Sequence, residues 1–226
     1  MKLLLADVDY NSEIFFEEGF VLSIECESKE YFAKLIENAK GLNLNHFKIV
    51  SNEKVVDVEK ELLTIIDYYS IESYEKTILT KFYKTLDKTY VSDEEVIIKM
   101  RKISEEFSRL AKYVVEDLNA DFEINMPTLI SDCLKFSGLK MVGGFEFGFE
   151  GTLNFINLCS ALKLYKVLVL VNAKSFFNDN QMEEIIKCLT YNKQKTLFID
   201  STISKKIYKN EIKLYIDSDF YDILYR

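Results

Sequence analysis

The chain has 226 residues, 48% of them apolar, with seven Gly, one Pro, no Trp and a net charge of −8. That is enough apolar material for one sizeable core, and too little Gly and Pro for long linkers, collagen-like repeats or low-complexity tracts. The acidity is uneven: residues 1–130 carry 16 Lys and Arg against 26 Asp and Glu, whereas residues 131–226 carry 13 against 11. An acidic chain repels nucleic acid as a whole, so a nucleic-acid role requires a local basic surface, bound cations, or both.

Cys26, Cys133, Cys159 and Cys188 lie far apart with no Cys-x-x-Cys spacing, which indicates reduced thiols rather than a zinc site or disulfide framework. The N-terminal MKLLLADVDY has too short an apolar run for a signal peptide, and no window of about 18 apolar residues exists to span a membrane. A cytoplasmic protein is expected.

In chain order, KLLLA, EIFF and GFVLSIEC read as short strands, with Gly19 at a turn before the third. Ser28 is placed to cap a helix through Ala39 that carries Tyr31, Phe32, Leu35 and Ile36 on one face, and Gly41 follows its end. HFKIV and KVVDV are further strands. His46, between the helix and these strands, is the only histidine. It has no Ser, Cys or Asp partner at recognisable spacing, so no catalytic arrangement is built from it.

Residues 58–119 change character. Apolar residues recur at 3–4 spacing with no Gly or Pro, the second half opens on a capping box from Ser92 to Glu95, and residues 87–93 form the turn. The pattern predicts a helical hairpin whose helices, at about 30 residues each, run some 45 Å. Such a length suits a projecting insertion. The reading is therefore a sheet domain from 1–57 and 120–226, with 58–119 inserted as a helical leg.

Beyond the hairpin, ADFEIN sets Asp121, Glu123 and Asn125 at alternate positions, where an extended chain turns all three oxygen-bearing side chains to one side. Hard cations are often collected in this way, and Asp117 and Asp132 are near enough to add ligands. The same alternation also suits the solvated face of an edge strand. Pro127 suits the first turn of a helix through Phe136, GLKMV is a candidate strand, and GGFEFGFEG leads into the most informative stretch.

There, a helix around Leu153–Leu164 precedes LYKVLVLVN, whose near-unbroken Leu and Val mark a strand buried on both faces. Asn178 and Gln181 form a capping box for a helix turning Met182, Ile185, Ile186 and Leu189 inward, and TLFID follows. Helix, strand, helix, strand at this spacing is a parallel α/β sheet with right-handed crossovers. Such a sheet commonly binds nucleotides, but this one lacks the parts. The early strand runs into Glu25-Cys26-Glu27-Ser28-Lys29, with no glycine loop and two carboxylates where phosphate would sit. VLVLV closes in Asn172 where a magnesium-binding acid is needed, leaving Asp200 as the one strand-end carboxylate of that type. GGFEFGFEG does not fit a dinucleotide loop in frame. Nucleotide hydrolysis is not expected.

Lys81, Lys84 and Lys88 share one helix face. Lys135, Lys140, Lys163 and Lys166 gather around the second half of the sheet, and further lysines are interleaved with Tyr191 and Tyr208. These suit tracking of a phosphate backbone, as they suit ordinary solvation.

From Pro127 to Asp200 the chain resembles the Csn-two family, the adaptation protein of type II-A CRISPR systems. The resemblance rests on the Lys-x-x-Gly-x-Lys run of Lys135, Gly138 and Lys140, a helix ending in a Lys-rich turn, an apolar strand closing in Asn172, and an N-capped helix. It implies a degenerate P-loop-NTPase-like α/β head with a helical leg, and a non-catalytic homotetrameric ring. That ring's basic hole encloses double-stranded DNA and loads from duplex ends. It further implies calcium, with acids in the Asp121–Asn125 segment and Asn125 departing from the family's last acid, and work alongside the integrase and RNA-guided nuclease during spacer acquisition. The competing reading is an inert scaffold that docks protein partners through its helical hairpin without contacting DNA; the least favoured is a metal-assisted hydrolase using Asp200 and the ADFEIN acids.

Overall fold

A computed structural model of the chain describes residues 1–6, 13–69, 74–116, 129–139, 148–204 and 206–226. It divides into two compact units, one formed by Met1–Tyr74 with Gly144–Arg226 and the other by Glu75–Gly143.

The first unit holds two sheets. Strands β1 (Lys2–Leu5), β2 (Glu13–Phe15), β4 (Phe47–Ser51) and β5 (Lys54–Val55) make an antiparallel sheet in the order β2-β1-β4-β5. Its tight β4–β5 hairpin places Asn52 and Glu53 at φ 50 and 64, the left-handed pair that a two-residue turn needs to match strand twist. The second sheet has six strands. It contains β3 (Val21–Cys26), β6 (Leu62–Ile65), β7 (Val167–Val171), β8 (Lys195–Asp200), β9 (Glu211–Ile216) and β10 (Asp222–Tyr225), in the order β10-β9-β3-β8-β7-β6. All neighbours are parallel except β10 with β9. The expected mostly parallel α/β sheet is present.

Helix α1 (Lys29–Ala39) follows β3 and is capped by Ser28, whose Oγ accepts from the Tyr31 N–H at 3.3 Å. With the four-stranded sheet it covers one face of the large sheet. Leu22, Ile24, Cys26, Val169, Leu197, Ile199 and Leu214 are sealed there against Tyr31, Leu35, Leu3, Phe47 and Ile49. The other face is covered by α8 (Asp179–Tyr191), which opens on the expected Asn178–Gln181 capping box and buries Met182, Ile185, Ile186 and Leu189. Beside it lies α6 (Phe149–Ala161) with Phe155, Ile156 and Cys159. Every residue of β7 is buried, as its unbroken apolar run required. All four cysteines are free.

Two local expectations are corrected. The segment from 58 does not begin the helical insertion: α2 (Val58–Glu61) is a single turn, and Leu62–Ile65 enter the sheet as β6, parallel to β7. A run as short as Leu-Leu-Thr-Ile fits helix and buried-strand patterns equally, and pairing with β7 decides it. The helical unit accordingly spans Glu75–Gly143 rather than 58–119, with α3 (Glu75–Tyr90), α4 (Glu94–Val115) and α5 (Ile130–Phe136). The second correction concerns the cap of α4, which is Asp93 rather than Ser92; its carboxylate accepts from the Val96 N–H at 3.1 Å. Aspartate is the better partner for the positive helix end. No helix among the described residues is long and apolar enough to cross a membrane.

Candidate nucleic-acid interface

Parallel α/β sheets bind ligands outside the carboxyl ends of their strands, where the strand order reverses. Here that place lies at the ends of β3 and β8, and the chain's own charges hold it. Glu25 on β3 is fully buried; Asp200, paired beside it on β8, is equally buried. The short helix α7 (Ala173–Phe176) sends Lys174 across from the end of β7. Its Nζ reaches Glu25 Oε1 at 2.7 Å and Ser23 Oγ at 2.8 Å, and also bonds Glu211 at the start of β9. Lys213 of β9 approaches Glu25 Oε2 at 3.3 Å. Two backbone groups beyond β8 add to it: Ser204 N–H donates to Glu25 Oε2 at 3.0 Å and Tyr208 N–H to Glu211 Oε2 at 2.9 Å.

Burial works against the Lys174 ammonium, but Glu211 and Glu25 more than compensate and raise its pKa. Asp200 Oδ1 accepts from the Lys174 N–H at 2.9 Å, while its Oδ2 is buried without a partner among the described residues. Desolvation pushes the Asp200 carboxyl up to about 7 against the pull of Lys174, with Glu25 and Glu211 adding to the rise. Two ammonium groups thus balance two carboxylates, and a fifth group is neutral over much of the acid range. A phosphate finds no glycine loop here. At the head of α1 it meets Glu27 and Glu30.

Sequence reasoning found Glu25 and Asp200 but missed Lys174, Glu211, Lys213 and Ser23. The available signal was charge inside otherwise apolar strands, in VLSIEC and EIKLYI, because an ionic side chain at a buried position demands a partner.

The described lysines marked from sequence fall in two places, one in each unit; Lys135, expected with Lys163 and Lys166 around the sheet, stands instead on α5 of the helical unit. In the sheet unit, α6 and α8 end in the same motif. Lys163 and Lys193 stand at φ 47 and 53. Leu164 N–H bonds Cys159 O at 2.9 Å, and Gln194 N–H bonds Leu189 O at 2.9 Å. This is the left-handed C-terminal cap usually given to glycine. It delivers Lys163, Lys166 and Lys193 to the amino edge of β7 and β8, away from the buried cluster. Lys166 pairs with Glu61 and Lys193 with Glu18 at 2.6 Å. Lys163 is exposed and forms no ion pair among the described residues.

In the helical unit, Lys81, Lys84 and Lys88 lie on α3 as expected, with Lys84 and Lys88 exposed. Helix α5 docks beside them, Asp87 accepting from Ser131 N–H at 3.0 Å. Lys135 stands 5.4 Å over the Tyr83 ring and 3.3 Å from Asp132.

Of the proposed metal ligands, Asp117, Asp121, Glu123 and Asn125 lie outside the described residues, as does Lys140. Asp132, the remaining one, is engaged by Lys135. Among the described residues no three His, Cys, Asp or Glu side chains are grouped to hold a metal, so they do not by themselves fit calcium.

Fold and site together define an α/β protein with a mostly parallel sheet, whose strand-end site is filled, among the described residues, by its own buried charges. Residues 42–220 match the family described as CRISPR-associated protein (Cas_Csn2), and the chain belongs to that family. No curated protein matches it. Among solved structures it is similar to a putative ABC transporter ATP-binding protein from Pyrococcus furiosus. That match has 10% identity and a TM-score of 0.39, over 99% of this chain and 100% of that one.

Proposed function

We propose that the chain is a non-catalytic subunit that holds double-stranded DNA by its backbone, without reading sequence, as a homotetrameric ring loading at duplex ends during CRISPR spacer acquisition. The integrase and the RNA-guided nuclease of the same system are its working partners. The observation that carries the reading is how the lysines are used. Lys174 and Lys213 are consumed inside the sheet unit, whereas exposed Lys84, Lys88 and Lys163 pair with no carboxylate among the described residues. Four copies turning such lysines into one channel would give an acidic subunit a basic lining. No base-reading element is present among them, in keeping with backbone contacts.

The test is duplex affinity against salt. Between 50 and 200 mM, binding should weaken by about 10³-fold or more. Replacing Lys84, Lys88 or Lys163 with Ala should each lower the slope by about 1, uniformly across sequences. A flat salt response would sink the proposal. Calcium is proposed for the acids of residues 117–125, and titration calorimetry of Asp121→Ala with Glu123→Ala measures it: loss of calcium heat is expected.

A second reading, docking of a protein partner through the helical unit, is favoured by α4. None of its 22 residues is buried, and Ile103, Phe107, Leu110 and Val114 are exposed along one stripe. Under that reading the chain does not contact DNA, and Leu110→Asp abolishes partner capture.

A further inference from the structure

Strand β10 ends the six-stranded sheet, bonded to β9 on one side, with no strand on the other among the described residues. An edge strand presents unpaired N–H and C=O groups, which natural sheets blunt with proline, bulges, lysines or a covering element. Apart from being short, β10 has none of the sequence devices: it reads Asp222-Ile223-Leu224-Tyr225, followed by Arg226. Leu224 packs against the core, while Ile223 is 49% and Tyr225 37% exposed.

The strand is complementary to itself. Laid antiparallel against a second copy about Leu224, it sets Asp222 opposite Arg226 twice and Ile223 opposite Tyr225 twice. Opposite charges and aromatic–β-branched pairs are both favoured across strands. Moving the centre by one residue either way loses the charge match. Among the described residues Arg226 Nη1 approaches Glu17, at 3.7 Å on the surface, a contact cheaply exchanged. Antiparallel pairing of identical edges is also two-fold symmetric, as an isologous interface requires.

We propose that β10 is a self-association edge through which two copies of this chain pair about Leu224 and join their large sheets into one. The inference rests on the homotetramer reading above and assigns one of the two distinct isologous contacts that a closed assembly of four with two-fold symmetry needs.

Sedimentation velocity on a charge-reversal set tests it. Asp222→Arg places like charges opposite each other twice, and Arg226→Asp does the same with the other sign. Each should weaken association about tenfold and shift the assembly to half its size. The double variant Asp222→Arg with Arg226→Asp should recover it. An equimolar mixture of the two single variants should also recover it, since each supplies the charge the other lacks, and that recovery shows both are folded. Unchanged association in the single variants, no recovery in either the double variant or the mixture, or a monomeric parent protein would overturn the assignment. Duplex binding measured on the same samples separates the two readings. Lost DNA binding with the charge-dependent assembly intact overturns the DNA proposal alone; assembly indifferent to the reversals with DNA still bound overturns the β10 assignment alone.

Discussion

At the scale of single residues, the buried charges of β3, β8 and β9 make the sharpest predictions. Lys174→Met removes the ammonium that Glu25 and Glu211 share, leaving Glu25 with Lys213 alone and the buried Glu211 carboxylate uncompensated. The expected loss is about 3–5 kcal/mol, read as a lower urea midpoint with unchanged slope. Asp200 acts through pH. Its carboxyl is raised from 3.8 to about 7 in the folded chain, so between those values the folded state binds more protons than the unfolded one. Its favourable contribution is full below pH 3.8, is lost as pH rises towards 7, and stays lost above, on the order of 4 kcal/mol in all. Asp200→Asn should flatten the stability profile between pH 5 and 7.5, measured as urea midpoints. A profile still as steep would show that other groups carry the slope. Glu25 and Asp200 were legible as strand-end acids. Their partners were not, because Lys174 reaches Glu211 across 37 residues of chain and only the fold brings them together.

Elements were read best where pattern and length agreed. The unbroken β7, the capping box of α8 and the Ser28 cap of α1 all follow from local chemistry, and each is present. Leu62–Ile65 was misread because four residues, three of them apolar, carry no period of their own; pairing with β7, more than a hundred residues on, makes them a strand. The C-terminal caps of α6 and α8 were also missed, since Lys at φ 47 and 53 stands where glycine is the usual signal. That choice has a cost. Lys163→Gly should relieve left-handed strain and, net of the freer unfolded chain, raise stability by about 0.5–1 kcal/mol, while reducing duplex affinity. A thermal melt and a binding titration on one preparation check both. A variant that gains stability and keeps full affinity would remove Lys163 from the DNA surface.

For the whole molecule, composition spoke more clearly than any motif. A chain of net charge −8 would hold nucleic acid by concentrating lysines that are not already paired within it. The structure sorts its lysines, spending Lys174 and Lys213 internally and leaving Lys84, Lys88 and Lys163 exposed. Assembly was not legible in composition or periodicity, because a two-fold contact depends on which edge remains open once the sheet is ordered, and β10 is such an edge. The central claim is a ring threaded from duplex ends. It is tested most directly by comparing the parent protein's binding to one duplex in linear and covalently closed circular form, at equal length and ionic strength. The account predicts firm binding to the linear form and little to the circle; equal affinity for both would contradict it.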